Sequence, residues 1–300
     1  MRYGVMLDQF KPIDTVVAEA RSLHEAGFAS AWSSQVFGYD ALTLFAVIGR
    51  EVPGIELGTG VVPVYPRHPL ALAAQALTTQ SATGGRLVLG IGLSHQVVVE
   101  GMWGYSFDKP ARYMREYLAA LLPALRGEQV AVNGEVLTAN TTAPINVRVD
   151  APPPVLLAAL APTMLKLAGG LADGTVTWMT GPATLADHIV PSITKAAADA
   201  GRTAPRVVAA LPVCITDDVD AARSQAAKEY AIYGQLPSYR AMLDKEGAAG
   251  PADVAVAGDE GTVAKELDRM ADAGVTEFVA SRLGTKEEWS RTVDFLAARI

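Results

Sequence analysis

The sequence predicts an α/β chain folded as one TIM (β/α)8 barrel with insertions, on three observations. Short runs rich in β-branched residues alternate with longer stretches of helical period. Eight such strand signals occupy 300 residues, a length that suits a barrel as well as two ordinary domains. The runs are also nearly continuous in apolar residues, as in strands of a parallel sheet covered on both faces.

Taken in order, the first strand is 3–7, and Asp14 caps a helix whose apolar period runs through Val16, Val17, Ala20, Leu23 and Ala26 until Gly27 stops it. A second strand at 29–34 precedes a helix at 40–51 that ends before Pro53-Gly54. The third, 55–62, leads to a helix at 69–82 opened by Pro69 and closed by Gly84-Gly85. The fourth, 87–93, is followed by a helix at 110–126. These four units average about 32 residues, the size of a βα repeat. At 129–141 the rhythm breaks, and two alternating runs around Asn133-Gly134 predict an inserted β-hairpin. Strands at 155–160, 175–179 and 207–215 resume it, each with a helix behind. A helical, Gly- and Ala-rich insertion at 238–256 comes before a helix at 260–273, the eighth strand at 277–280 and a last helix at 286–298. A doubly wound open sheet is the competitor. It has fewer strands and a Gly-rich first turn, whereas Asp8 to Pro12 contains no glycine. The whole of 1–300 is therefore read as a single domain.

Half of the chain is apolar and its formal net charge is −7, which argues against disorder and against nucleic-acid or anionic-membrane partners. Cys214 alone offers neither an internal disulfide nor a multi-cysteine zinc site. No run of apolar residues has the length of a signal or a membrane span, so a cytoplasmic protein acting on a small molecule is expected.

Barrels carry their chemistry at the C-terminal ends of strands. Those positions hold Asp8 and Gln9; Ser34 and Gln35; Pro63, Tyr65, Arg67 and His68; Ser94, His95 and Gln96; Ala161 to Thr163; Thr180 to Pro182; Thr216 and Asp217; Ser281 and Arg282. The four histidines are scattered, so no metal site is expected. His95 is the acid/base candidate because imidazole titrates near neutrality, the alternative being a packing histidine. His68, just before Pro69, reads equally as a helix cap. The helix starts after Ala161 and Gly181 offer backbone N–H groups to a phosphate, or are plain helix starts.

The stretch Gly58-Thr59-Gly60-Val61-Val62-Pro63, followed by Pro66-Arg67-His68-Pro69 and by Gly84-Gly85-Arg86-Leu87-Val88-Leu89-Gly90-Ile91-Gly92, resembles the luciferase-like monooxygenase superfamily. It is most similar to the branch that uses the deazaflavin coenzyme F420. Ala26-Gly27-Phe28 and Leu171-Ala172-Asp173-Gly174 extend the likeness over nearly the whole chain. The resemblance implies a luciferase-like TIM barrel and a bulge in the third strand at Gly60-Val61, often with a non-prolyl cis peptide, beneath the coenzyme ring. It also implies that Thr59, Gly60, Val61 and Ser94 bind the coenzyme, with Ala159, Leu160, Ala161, Thr180 and Gly181 near its phosphate, and that the protein is a homodimer. Departures are equally informative. Gln35 and Val36 stand where sugar-phosphate dehydrogenases of the family have an Asp-His pair, and His95 stands in place of their glutamate. No lysine lies near Gly181. A less polar substrate is implied, with His95 as proton donor or acceptor and Gln35 as a hydrogen-bonding partner. The competing functions are an FMN-dependent monooxygenase or reductase, a non-catalytic flavin- or ligand-binding barrel, and a Schiff-base aldolase. The last lacks a strand-end lysine.

Overall fold

The computed structural model describes residues 1–300. Twelve strands form: β1 Arg2–Met6, β2 Ser30–Ser33, β3 Glu56–Thr59, β4 Val62–Pro63, β5 Leu87–Gly92, β6 Ala131–Asn133, β7 Thr138–Asn140, β8 Val155–Leu157, β9 Gly174–Trp178, β10 Arg206–Ile215, β11 Val256–Gly258 and β12 Glu277–Arg282. The hydrogen-bonded order is β11-β10-β12-β1-β2-β3-β5-β8-β9, and β9 pairs with β10 as well. The parallel sheet thus closes on eight strands, which is the predicted (β/α)8 barrel. Here β3 and β4 are two pieces of one barrel strand, and β11 is a short addition beside β10. The sequence does not announce β11, because three residues carry no periodicity.

The chain divides into two compact units. The first comprises Met1–Leu7, Ser22–Trp32 and Ala159–Ile300. Within it β1 runs parallel to β12 (Arg2 opposite Glu277) and to β2 (Gly4 opposite Ser30), while β10 pairs with β9, β11 and β12. Its helices start on side-chain caps where the sequence provides them. Asp218, Asp259 and Thr285 accept from the N–H groups of Ala221, Thr262 and Glu288. Gly174, with φ 159°, lies against the Arg206 backbone, where any Cβ would collide. Trp32 and Phe278 are fully buried.

The second unit comprises Asp8–Arg21 and Ser33–Ala158. Its strands β3, β4 and β8 all pair with β5. Asp40 caps helix Ala41–Glu51 through the Thr43 N–H (2.9 Å). Arg86 fastens the other end of that helix, donating to the carbonyls of Gly49, Val52 and Ile55 at 2.7–3.0 Å. Gly84 and Gly85, both at positive φ, make the turn that delivers it. The Gly-Gly-Arg motif is therefore structural. The hairpin forms from β6 and β7, but Asn133 is its last strand residue and residues 134–137 make the turn. Glu116, on helix Pro110–Leu125, accepts from the N–H groups of Glu135, Val136 and Leu137 and so fixes that turn. No helix is long and apolar enough to cross a membrane.

Candidate functional site

In the second unit β3 stops at Thr59 and β4 resumes at Val62; between them the Gly60–Val61 peptide is cis, as the resemblance implies. The Gly60 N–H donates to the Ser33 carbonyl (2.9 Å), and the Val61 carbonyl accepts from the Gln35 N–H (3.2 Å). Thr59 is fully buried. Its hydroxyl donates to the Gly90 carbonyl (2.7 Å) and accepts from the Gly90 N–H (2.8 Å). A Cβ at Gly90 would land on the Thr59 carbonyl oxygen, and one at Gly92 would come 2.8 Å from a Val61 methyl. The glycines of β5 are there because the bulge leans on them. The Thr59 side chain ties the end of β3 to β5.

Beyond β5, Ser94 adopts φ +63°, a left-handed conformation unfavourable for a residue with a Cβ. His95 follows, half-buried and extended, ahead of helix Gln96–Gly101, which its side chain does not cap. Desolvation disfavours its charged form and lowers the imidazole pKa from 6.5, so it is neutral at neutral pH. Gln35 uses its side-chain oxygen on the Ala41 N–H (2.8 Å), which pins the loop to the start of the next helix. One lone pair of that oxygen is thereby taken, and the amide N–H2 remains a donor. His68 caps helix Pro69–Ala82 through the Leu70 N–H and places Nε2 2.9 Å from the Thr138 carbonyl, so the capping alternative holds for it.

Four buried polar atoms in this unit lack any hydrogen-bond partner: Gln9 Oε1, Glu19 Oε2, Ser33 Oγ and the Tyr65 hydroxyl. Glu19 lies on helix Ile13–Glu25 with Lys11 3.5 Å away, whereas the other three lie just after β1, at the end of β2 and just after β4. Such orphans are rare in folded proteins and mark positions held for a ligand or water. Ser33 was not anticipated, although a polar residue closing the apolar run Ala31-Trp32 is a faint signal.

In the first unit, Ala159 is buried, Leu160 half-buried and Ala161 exposed. The Leu160 carbonyl lies 2.8 Å from His188 Nε2. Helix Pro162–Leu171 begins at Ala161 with no side-chain cap. The helix start at Gly181 differs. Glu246, from the insertion helix Pro237–Glu246, accepts from the Ala183 N–H (3.0 Å) and the Thr184 N–H (2.7 Å). A carboxylate therefore caps the two amides that follow Pro182. Thr180 is buried and turns its hydroxyl back to the Trp178 carbonyl (3.2 Å). Nothing in the sequence around Glu246 signals this role.

The family model described as luciferase-like monooxygenase matches residues 1–294. A 5,10-methylenetetrahydromethanopterin reductase of Methanolobus tindarius is 27% identical over 282 residues, covering 91% of this chain and 85% of that protein. Among solved structures, the coenzyme F420-dependent tetrahydromethanopterin reductase of Methanopyrus kandleri is similar with a TM-score of 0.84 at 22% identity, over 100% of this chain and 98% of that one. The oxygenating constituent of 3,6-diketocamphane monooxygenase of Pseudomonas putida, in complex with FMN, is similar with a TM-score of 0.78 at 16% identity, over 99% and 96%.

Proposed function

Because the chain belongs to the luciferase-like monooxygenase family, we propose that it is a coenzyme F420-dependent oxidoreductase moving a hydride between the deazaflavin and a small organic substrate. The observation that carries the deazaflavin is the likeness, over 91% of the chain, to a methylenetetrahydromethanopterin reductase; the Methanopyrus structure of that activity is described as coenzyme F420 dependent. When bound, the coenzyme supplies two-electron hydride transfer at the central carbon of its ring.

The residues of the second unit fit such a group. The Gly60–Val61 turn carries no side chain at Gly60, and the unpartnered Ser33 hydroxyl closes the neighbouring strand β2. Gly60, Val61 and Ser94 would hold the ring. His95 is uncharged near neutral pH, so it accepts a proton from the substrate's polar group in one direction and returns it in the other. Gln35 positions the loop through Ala41 and does not titrate. The departures at Gln35, Val36 and His95 from the residues of the family's sugar-phosphate dehydrogenases support a less polar substrate.

The second reading is an FMN-dependent monooxygenase or reductase, favoured by the FMN-bound relative of the same fold. Titrating the purified protein with each coenzyme separates them. Saturable binding of F420, with FMN binding at least about tenfold weaker (~1.4 kcal/mol), is expected. Tighter binding of FMN with oxygen consumption would overturn the proposal.

A further inference from the structure

Tyr65 is named by its strand-end position, yet the chemistry proposed above does not use it. It leaves β4 immediately after Val64, whose N–H donates to the Gly92 carbonyl (3.0 Å). Because Val62 faces Ile91 and Pro63 faces Gly92, Tyr65 emerges beside the Leu93-Ser94-His95 exit of β5. Its ring stacks on Tyr113 with centroids 4.3 Å apart and planes 7° from parallel. Phe107 (5.7 Å) and Tyr105 (6.5 Å) lean against it. Nearby Tyr117 spends its hydroxyl on the Arg67 carbonyl (2.8 Å). Tyr65 is 6% exposed and its hydroxyl has no partner at all.

A buried hydroxyl without a protein partner costs stability, and it is a donor that a bound acceptor would satisfy. Burial first, then the neighbouring Tyr113, Asp108 and Glu100, push the Tyr65 pKa up to about 12, so the group is a proton-bearing donor at any working pH. The same carboxylates, Glu100 and Asp108, disfavour an anionic ligand. Aromatic walls suit a flat one: Tyr105 is 47% exposed and offers a ring on which a planar molecule can lie.

We propose that Tyr65 anchors the substrate, its hydroxyl donating a hydrogen bond to the carbonyl-type oxygen of a neutral, planar, unsaturated molecule held against Tyr105 and Phe107. Calling that molecule a substrate rests on the function proposed above; the binding site itself does not.

The test uses the coenzyme-free protein with acetophenone and, as the ligand lacking the oxygen, ethylbenzene. Calorimetric affinities and melting temperatures are compared for the native chain and Tyr65→Phe. The expected result is a loss of about tenfold in acetophenone affinity with no change for ethylbenzene. Removing the orphaned hydroxyl should also raise the melting temperature by about 2 °C, an effect opposite to that of losing a structural tyrosine. Three results would overturn the proposal: no binding of acetophenone to the native chain, equal weakening of both ligands, or a lowered melting temperature. F420 affinity is measured alongside. If the native chain fails to bind F420 but still discriminates between the two probes, the function fails and the anchor stands. If F420 binds both forms and the probes are not discriminated, the anchor fails and the function stands.

Discussion

In the first unit, Glu277 is wholly buried at the start of β12, and every direction around its carboxylate is answered. It accepts from Ser30 Oγ, from Trp32 Nε1 (3.0 Å) and from Arg206, with Arg2 3.9 Å away. In the second unit, Gln9, Ser33 and Tyr65 carry buried polar atoms with no answer at all. The first group sits where strands begin and the second where strands end. In a (β/α)8 barrel the beginnings carry stability and the ends carry chemistry. The contrast therefore separates what holds this protein together from what it holds for a ligand.

The largest effect expected from breaking that division is at Glu277. Glu277→Ala strips the carboxylate from Arg206, Ser30 and Trp32 and should cost about 3–5 kcal/mol, read by urea denaturation, while the surviving folded protein binds coenzyme as before. A cost below about 1 kcal/mol would mean the network is ornamental and the comparison empty. The next effect is at the bulge, where the two roles meet. Gly90→Ala pushes a methyl onto the Thr59 carbonyl and should cost about 1–3 kcal/mol. Unlike the Glu277 variant, it should also weaken coenzyme binding, because the turn it displaces is the proposed ring seat. Loss of stability with untouched coenzyme affinity would move that seat elsewhere.

The two regions were not equally legible. The barrel could be read from the chain because each strand is a short apolar run set off from the next by a stretch of helical period, a local property. The broken third strand was placed only by family likeness, since nothing local in Thr59-Gly60-Val61 distinguishes a bulge from an ordinary strand. The hairpin is legible around Asn133-Gly134, but what holds its turn is not, because Glu116 lies on another helix. Glu246 at the Ala183 and Thr184 amides escaped for the same reason: a capping partner 62 residues away has no periodicity to betray it. His95 and Gln35 were identified by position, but their state was not. Burial makes the one neutral, and the Ala41 N–H takes the oxygen of the other. The Tyr65 orphan is legible least of all, because the lack of a partner is a property of the folded surroundings.

His95 gives the smallest effect and the finest test of where chemistry ends and packing begins. Its pKa is depressed by desolvation, so as pH falls below about 6.5 the unfolded chain takes up a proton before the folded one does. The folded protein must therefore lose stability between pH 6.5 and its own lower value. Above 6.5 both states are neutral, and below the folded value both are charged. Replacing His95 with Gln removes this contribution, so denaturation of the native chain minus the variant should be level above pH 6.5 and decline beneath it; a difference that rises on acidification would contradict a desolvated imidazole. The same variant should lower kcat while leaving the F420 dissociation constant unchanged, because a proton acceptor acts on substrate and not on the ring seat. If stability follows the predicted curve but turnover does not move, His95 belongs with Glu277 among the groups that serve the fold, and Tyr65 becomes the side chain on which the chemistry at this strand end must rest.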